Sequence, residues 1–334
     1  MEERRQKLLL DSFHHLIKTS SPMSKKIDTI RMSPLKSNAM LYVLVLILAL
    51  SWGYSWPLMK IGLAYIEPFT FTFLRFIIGG VTLILFISIF QKGTSLRFPA
   101  SQWKHLVIFG MVQTFAVFGL ITYAMLFIDA GKTSIVLYTM PIWTSILAAI
   151  FLKENLSRQN IIGLIFGVIG LGLIIGEDIY YDSTANGMIG IILILIASIL
   201  WAFANIYFRL YLTEQPQLPI TAYQMLLGSI GLGVCAFIFE RGSSITWNIA
   251  SIYAILFTGV IASALCFSLW YYLLRNISTI TAAISTLLVP VFAVLFGYWM
   301  LEEPLSISML IGGGFVVFGI FISQAHFKKI PFFR

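Results

Sequence analysis

Charge is scarce in this chain. Only 11% of its 334 residues are Asp, Glu, Lys or Arg, against roughly a quarter in an ordinary soluble domain, while 59% are hydrophobic. A water-soluble globule of that make-up would expose large apolar patches and aggregate. Cysteine is nearly missing as well. Cys235 and Cys266 both fall inside apolar runs, with neither CxxC spacing nor a neighbouring His, which argues against a disulfide framework and against a metal site. No Asp or Glu lies in the middle of an apolar run, and His14, His15, His105 and His326 are terminal or interfacial. The chain therefore lacks the buried carboxylate or His relay common in proton-driven carriers. There is no Walker-type glycine loop and no HExxH. Gly312-Gly313-Gly314 sits inside an apolar run, where small residues permit close helix approach. An intramembrane enzyme would need polar catalytic groups that are not found, and no cofactor is called for.

What is present is a succession of ten apolar runs of roughly the 20 residues that span a hydrocarbon core. They lie near 39–59, 68–90, 104–127, 131–152, 159–176, 187–208, 219–240, 250–273, 280–301 and 305–325. Polar or helix-breaking clusters punctuate them, among them Glu67-Pro68, Asp129 to Lys132, Glu214 to Pro216 and Glu302 to Pro304. No loop leaves room for a soluble catalytic or ligand-sensing domain.

Residues 1–38 read as a basic cytoplasmic tail without signal-peptide features. Its stretch from Arg4 to Lys18 suits either a surface helix against anionic lipid or a disordered segment. The net charge of +8 reflects topology and not a nucleic-acid stripe. With the N-terminus inside, 18 of the 22 Lys and Arg face the cytoplasm, three (Lys60, Lys132, Arg241) face out, and Arg75 lies within a span. By the positive-inside rule both termini are cytoplasmic, in a multi-pass protein of the cell (inner or plasma) membrane.

The chain also repeats itself at a constant offset of 149 residues, without gaps. Trp52 falls on Trp201, Gly79 on Gly228, Gly110 on Gly259, Phe118 on Phe267, Pro141 on Pro290, Glu154 on Glu303, Phe166 on Phe315 and Gly170 on Gly319. Five spans per half is an odd number, so the second half must enter the membrane in the opposite sense. This is the inverted-topology repeat found in many secondary transporters. The expected fold is an all-α integral membrane protein, with ten transmembrane helices as two inverted five-helix repeats at 39–176 and 187–325, followed by a cytoplasmic tail at 326–334.

With Ser51-Trp52-Gly53, Leu74-Arg75-Phe76, Pro141 with Glu154-Asn155-Leu156-Ser157, and the echo in Pro290 with Glu303-Pro304-Leu305-Ser306, the chain resembles the drug/metabolite transporter superfamily, specifically its ten-helix members with two EamA-type repeats. The resemblance covers about residues 40–325. Where many members have Asn three residues after the Trp, this chain has Ser55, and the second repeat places Asn205 four after Trp201. The resemblance implies secondary transport of a small metabolite, such as an amino acid, nucleoside, amine or drug-like compound, by alternating access in the export direction. The alternative class is a non-catalytic lipid-binding or structural membrane protein. The expected partners are the small-molecule substrate and membrane lipids, with no nucleic acid; oligomeric state is not legible.

Three- and four-residue steps align along a helix, so Trp52 and Ser55 share one face and Trp201 and Asn205 another. Aromatics with a few polar groups suit a small-molecule pocket; helix packing is the competing reading. Tyr138 and Trp270 are further substrate candidates, beside Gln113, Tyr123, Gln224, Tyr271 and Thr286. Pro141 and Pro290 should kink their spans, each removing a donor and crowding the carbonyl four residues earlier, either as static bends or as hinges. Glu154 and Glu303 close their helices on opposite membrane sides, as boundary and gate-packing residues. Arg75 lies about seven residues into its span, roughly 10 Å along the axis. It must snorkel or find a partner, as an anchor toward the outer interface or as a recogniser of an anionic substrate group.

Overall fold

A chain segment in hydrocarbon must satisfy its backbone polar groups internally, and apolar runs of this length do so as α-helices. The computed structural model describes residues 34–324 apart from 92, 93, 95, 182–184 and 304–306, and no strand occurs among the described residues. The expectation for residues 4–18 lies outside them.

Among the described residues ten helices follow in order: α1 (Pro34–Leu63), α2 (Pro68–Phe90), α3 (Ala100–Ala124), α4 (Ala130–Phe151) and α5 (Arg158–Tyr181), then α6 (Ala185–Tyr211), α7 (Gln217–Phe239), α8 (Ile249–Asn276), α9 (Thr279–Leu301) and α10 (Ile307–Gln324). Eight of them are long and apolar enough to cross a bilayer. The described apolar stretches of α5 and α10, at 158–170 and 310–319, are shorter. The described residues from 42 onward form one compact unit, and the contacts below lie within it.

Side chains are distributed as lipid demands. Phe90, Phe237, Phe239, Trp299 and Phe321 point outward, whereas Thr72, Arg75, Gln113, Asn205 and Gln224 are buried. Acyl chains are as apolar as Leu, so burying Leu against Leu gains little and helices associate through close packing and polar contacts.

The 149-residue repeat reappears in the backbone. α3 widens to a π-helix over Met111–Ala116 and α8 over Phe257–Leu265, the two segments ending at equivalent positions. α4 is interrupted between Leu137 and Met140, and α9 between Ser285 and Leu288. Pro141 and Pro290 sit in the first turn of the second segments, where a missing N–H leaves no helical bond unmade. Thus the expected kinks are full breaks in the helix. Lys153 and Glu302, again equivalent, both adopt left-handed backbone, with φ of 53° and 56°.

A residue can touch its own repeat equivalent only where the pseudo-two-fold axis passes. Trp52 meets Trp201 at 5.7 Å between ring centroids, Phe118 meets Phe267 at 5.7 Å, and Phe166 stacks on Phe315 at 5.8 Å. Around that axis α2 packs along α7 and α5 along α10.

The crossings of α2 with α8 and of α7 with α3 are two-fold images built on glycine. A Cβ at Gly79 would stand 2.8 Å from the Gly259 carbonyl, and one at Gly228 would overlap the Gly110 carbonyl and the Thr114 side chain. Backbone cannot yield as a flexible side chain can. Gly228→Ala is therefore expected to cost about 1–3 kcal/mol and to lower the melting temperature of the detergent-solubilised protein by several degrees. Gly314→Ala, with nothing within 4 Å of the new methyl, should leave it unchanged. Equal melting of the two variants would count against the glycine crossing.

Candidate functional site

At the axis, equivalent aromatics from both halves close on one another. Beyond the axial Trp52–Trp201 and Phe118–Phe267 pairs, Trp52 packs on Phe267 at 5.6 Å and its image, Phe118 on Trp201, at 5.5 Å. Such edge-to-face and tilted packing adds to the stabilisation from burial. Trp270 joins at 6.0 Å from Trp52, and its Nε1 donates to Asn205 Oδ1 at 3.1 Å. The Asn205 amide in turn donates to Met140 Sδ at 3.6 Å. Of the candidates read from sequence, the structure brings Trp52, Trp201, Asn205 and Trp270 together. Ser55 is buried beside them, and its hydroxyl donates to the Trp52 carbonyl at 2.7 Å. Tyr138 is buried at the break in α4 and makes no ring contact with the cluster among the described residues. Phe118 and Phe267 were not singled out from sequence. Their signal was present, since they are an aromatic pair at the repeat offset.

The centre carries polar groups that the protein itself leaves unmatched. Trp52 Nε1 donates to the Ala262 carbonyl in the π-helical part of α8, at 2.9 Å. Among the described residues the equivalent Trp201 Nε1 has no partner, nor do the amide atoms of Gln113, the residue equivalent to Ala262, or the Tyr271 hydroxyl. Buried donors without acceptors are costly, and π segments interrupting α-helices frequently occur at functional sites.

Arg75 is 1% exposed and is held among protein side chains and carbonyls, the partners that a charge within a span requires. Its Nε donates to the Thr258 carbonyl at 3.2 Å and Ser263 Oγ at 2.8 Å, and Nη1 to Met59 Sδ at 2.9 Å. The guanidinium lies 5.0 Å from the Phe76 ring centre and 4.8 Å from that of Phe118. α8 can supply the Thr258 carbonyl because its π turn re-aims backbone groups.

At the two ends of the bundle, the equivalent carboxylates each cap a helix of the opposite half. The left-handed residue Glu302 turns the chain after α9 so that Glu303 accepts from the Ala130 and Gly131 amides, at 3.0 and 3.1 Å, at the start of α4. Beside it, Lys60 Nζ donates to the Met125 and Ile128 carbonyls at 2.6 and 3.0 Å. At the other end Lys153 turns the chain after α4, and Glu154 accepts from the Thr279 and Ile280 amides, at 3.0 and 3.2 Å, at the start of α9. Arg209 stands 3.9 Å from Glu154 and donates to the Leu274 carbonyl. Carboxylates at helix N-termini gain from both the free amides and the macrodipole. Burial holds the Glu303 carboxyl above the usual carboxylate range, with the two amides partly opposing.

A groove of about 610 Å³ between α9 and α10, lined by Val294, Leu310, Gly314 and Phe321 among others, is apolar and bordered by outward-facing side chains, as a lipid-facing surface would be. No cluster of three or more His, Cys, Asp or Glu suited to a metal occurs among the described residues.

Comparison with known proteins accords with this architecture. The family model described as "EamA-like transporter family" matches residues 39–176 and again 188–324. The chain is 30% identical over 285 residues to the "uncharacterized transporter YoaV" of Bacillus subtilis, covering 85% of this chain and 97% of that one. It is 25% identical over 294 residues to a "probable amino-acid metabolite efflux pump" of Salmonella typhimurium, covering 85% and 95%. A solved crystal structure superposes with a TM-score of 0.71 at 18% identity, covering 88% of this chain and 99% of its own, which bears on the fold alone.

Proposed function

From the premise that this chain belongs to the EamA-like transporter family, and is therefore a multi-pass membrane transporter and not an enzyme, we propose that it exports a small amphipathic metabolite of amino-acid type by alternating access. The observation that carries this reading is the meeting of equivalent aromatics and unmatched polar groups on the axis between two inverted halves. A site on that axis is seen alike from both membrane sides, and exchange of the two half-bundle shapes exposes it to each in turn. Trp52, Trp201, Trp270, Phe118 and Phe267 supply flat apolar surface, and Asn205 the adjoining amide. The amino-acid class draws on the printed name of the Salmonella relative.

The capped ends serve as the gates. Glu303 ties the end of α9 to the start of α4 at one end and Glu154 ties the end of α4 to the start of α9 at the other, so each break in α4 or α9 lies between two tied ends. With the tails cytoplasmic, Lys60 and Glu303 mark the outer gate and Arg209 and Glu154 the inner one.

Purified protein in proteoliposomes preloaded with unlabelled L-phenylalanine should take up labelled L-phenylalanine by counterflow at least several-fold faster than empty liposomes. Uptake no faster than in empty liposomes, across the common amino acids, would remove this reading and leave a lipid-binding role.

A further inference from the structure

Arg75 is the buried charge that the gates and the aromatic centre do not use. An Arg carries five N–H donors and stays ionised under all relevant conditions. Here Nε is engaged by a carbonyl and a hydroxyl and Nη1 by a thioether, a weak acceptor, while Nη2 has no hydrogen-bond partner among the described residues. No carboxylate lies within salt-bridge distance of it among those residues. Acidic residues with described side chains are confined to helix ends and loops: Glu67, Asp129, Glu154, Glu214, Glu240, Glu302 and Glu303. A fully buried cation without a counter-ion is expensive, and fold requirements alone do not account for it.

The repeat supplies an internal control. The position equivalent to Arg75 is Gln224, and the two occupy the same slot. A Cβ at Gly259 would stand 2.9 Å from the Arg75 carbonyl, and one at Gly110 would stand 2.8 Å from the Gln224 carbonyl. Arg75 bonds Ser263 of α8; Gln224 bonds Thr114, the equivalent residue of α3, at 3.0 Å. A neutral amide therefore fills the equivalent crossing in the other half, bonded through its oxygen while its Nε2 has no partner among the described residues, so packing of the crossing does not itself require a charge.

Resting on the transport reading above, we infer that Arg75 is a carboxylate subsite of the transport path, and that the substrates are monocarboxylates with an apolar or aromatic body. The guanidinium lies against Phe118, one of the axial aromatics, so an anion bound to its free edge would set its body on the aromatic cluster. A planar fork with a free N–H edge matches a carboxylate. No acidic side chain among the described residues is placed to receive an ammonium group, so N-acylated or deaminated acids should be accepted as well as amino acids.

Binding of N-acetyl-L-phenylalanine and of its neutral isostere N-acetyl-L-phenylalaninamide to the solubilised full chain, followed by calorimetry, tests this. Wild type should prefer the acid by roughly 10- to 100-fold, the worth of a hydrogen bond to a charged group. Arg75→Gln, which copies the Gln224 slot, should melt cooperatively and bind the two probes alike, and Arg75→Lys should keep part of the preference. Equal binding of acid and amide by wild type, a preference that survives in Arg75→Gln, or an Arg75→Gln protein that cannot be recovered folded would each overturn the assignment. Failure of the transport reading shows separately, as absent amino-acid counterflow, whereas loss of the carboxylate preference alone leaves that flux intact.

Discussion

Trp201→Ala and Asn205→Ala are expected to reduce transport by roughly 10- to 200-fold, while Trp247→Ala leaves it within about twofold of wild type. Trp201 lies on the axis between the halves against Trp52, Phe118 and Phe267. Removing one aromatic wall of a binding site forfeits about 1–3 kcal/mol of contact, which sets the fold-change. Asn205 is wholly buried and is the acceptor for Trp270 Nε1. Its loss strands a buried donor, again about 1–3 kcal/mol, and frees the ring to leave its position. Trp247 stands in the loop before α8 with 58% of its surface exposed and touches neither gate nor axis. Large-to-small changes in packed cores also cost stability, so transport is compared at matched membrane levels, and Trp201→Phe, which keeps an aromatic plane, should recover most of the rate. Equal transport by Trp201→Ala, Asn205→Ala and Trp247→Ala would refute the placement of the site.

The parts of this architecture legible in sequence are those that lipid enforces. Helical spans follow from apolar runs because hydrocarbon offers the backbone no other partner, and the inverted halves follow from an offset that keeps Trp, Pro and Glu in register. Trp52 and Trp201 were readable as a pair for the same reason. The partners of Glu154 and Glu303 were not readable, because a carboxylate gives no sequence signal for amides 125 residues away at Thr279, or 173 away at Ala130. The π-helical stretches escaped because one extra residue in a turn leaves the hydropathy of an already apolar run unchanged. For Arg75, hydropathy places the residue inside a span but cannot tell an interfacial reach from burial against Thr258 and Ser263; only the packing of α2 on α8 decides it.

The second large effect concerns the gates. Replacing Glu303 by Ala leaves the Ala130 and Gly131 amides without their acceptor, and replacing Glu154 does the same to Thr279 and Ile280. Loss of charge-assisted capping at a helix start costs about 2 kcal/mol, enough to shift a closed-to-open ratio by roughly 30-fold. Because the two caps sit at opposite ends, the two replacements should open opposite sides. Acidification acts on one of them in wild type. Burial raises the Glu303 pKa in the closed end above its value in water, so proton uptake favours closure. That contribution is present at low pH and fades as pH rises through the raised value. Outer opening should therefore slow on acidification in wild type and lose that dependence in Glu303→Ala.

Sided labelling of a single cysteine at the centre tests the alternation most directly. With Cys235 and Cys266 replaced by Ala, Ser55→Cys places a thiol beside Trp52, and a membrane-impermeant thiol reagent is applied to right-side-out and to inside-out vesicles. Labelling from both sides is predicted, with Glu303→Ala raising the outer rate and lowering the inner one, and Glu154→Ala doing the reverse, each by about tenfold or more. Labelling from one side only, whichever glutamate is replaced, or a rise on the same side for both replacements, would contradict a central site exposed alternately by two opposed gates.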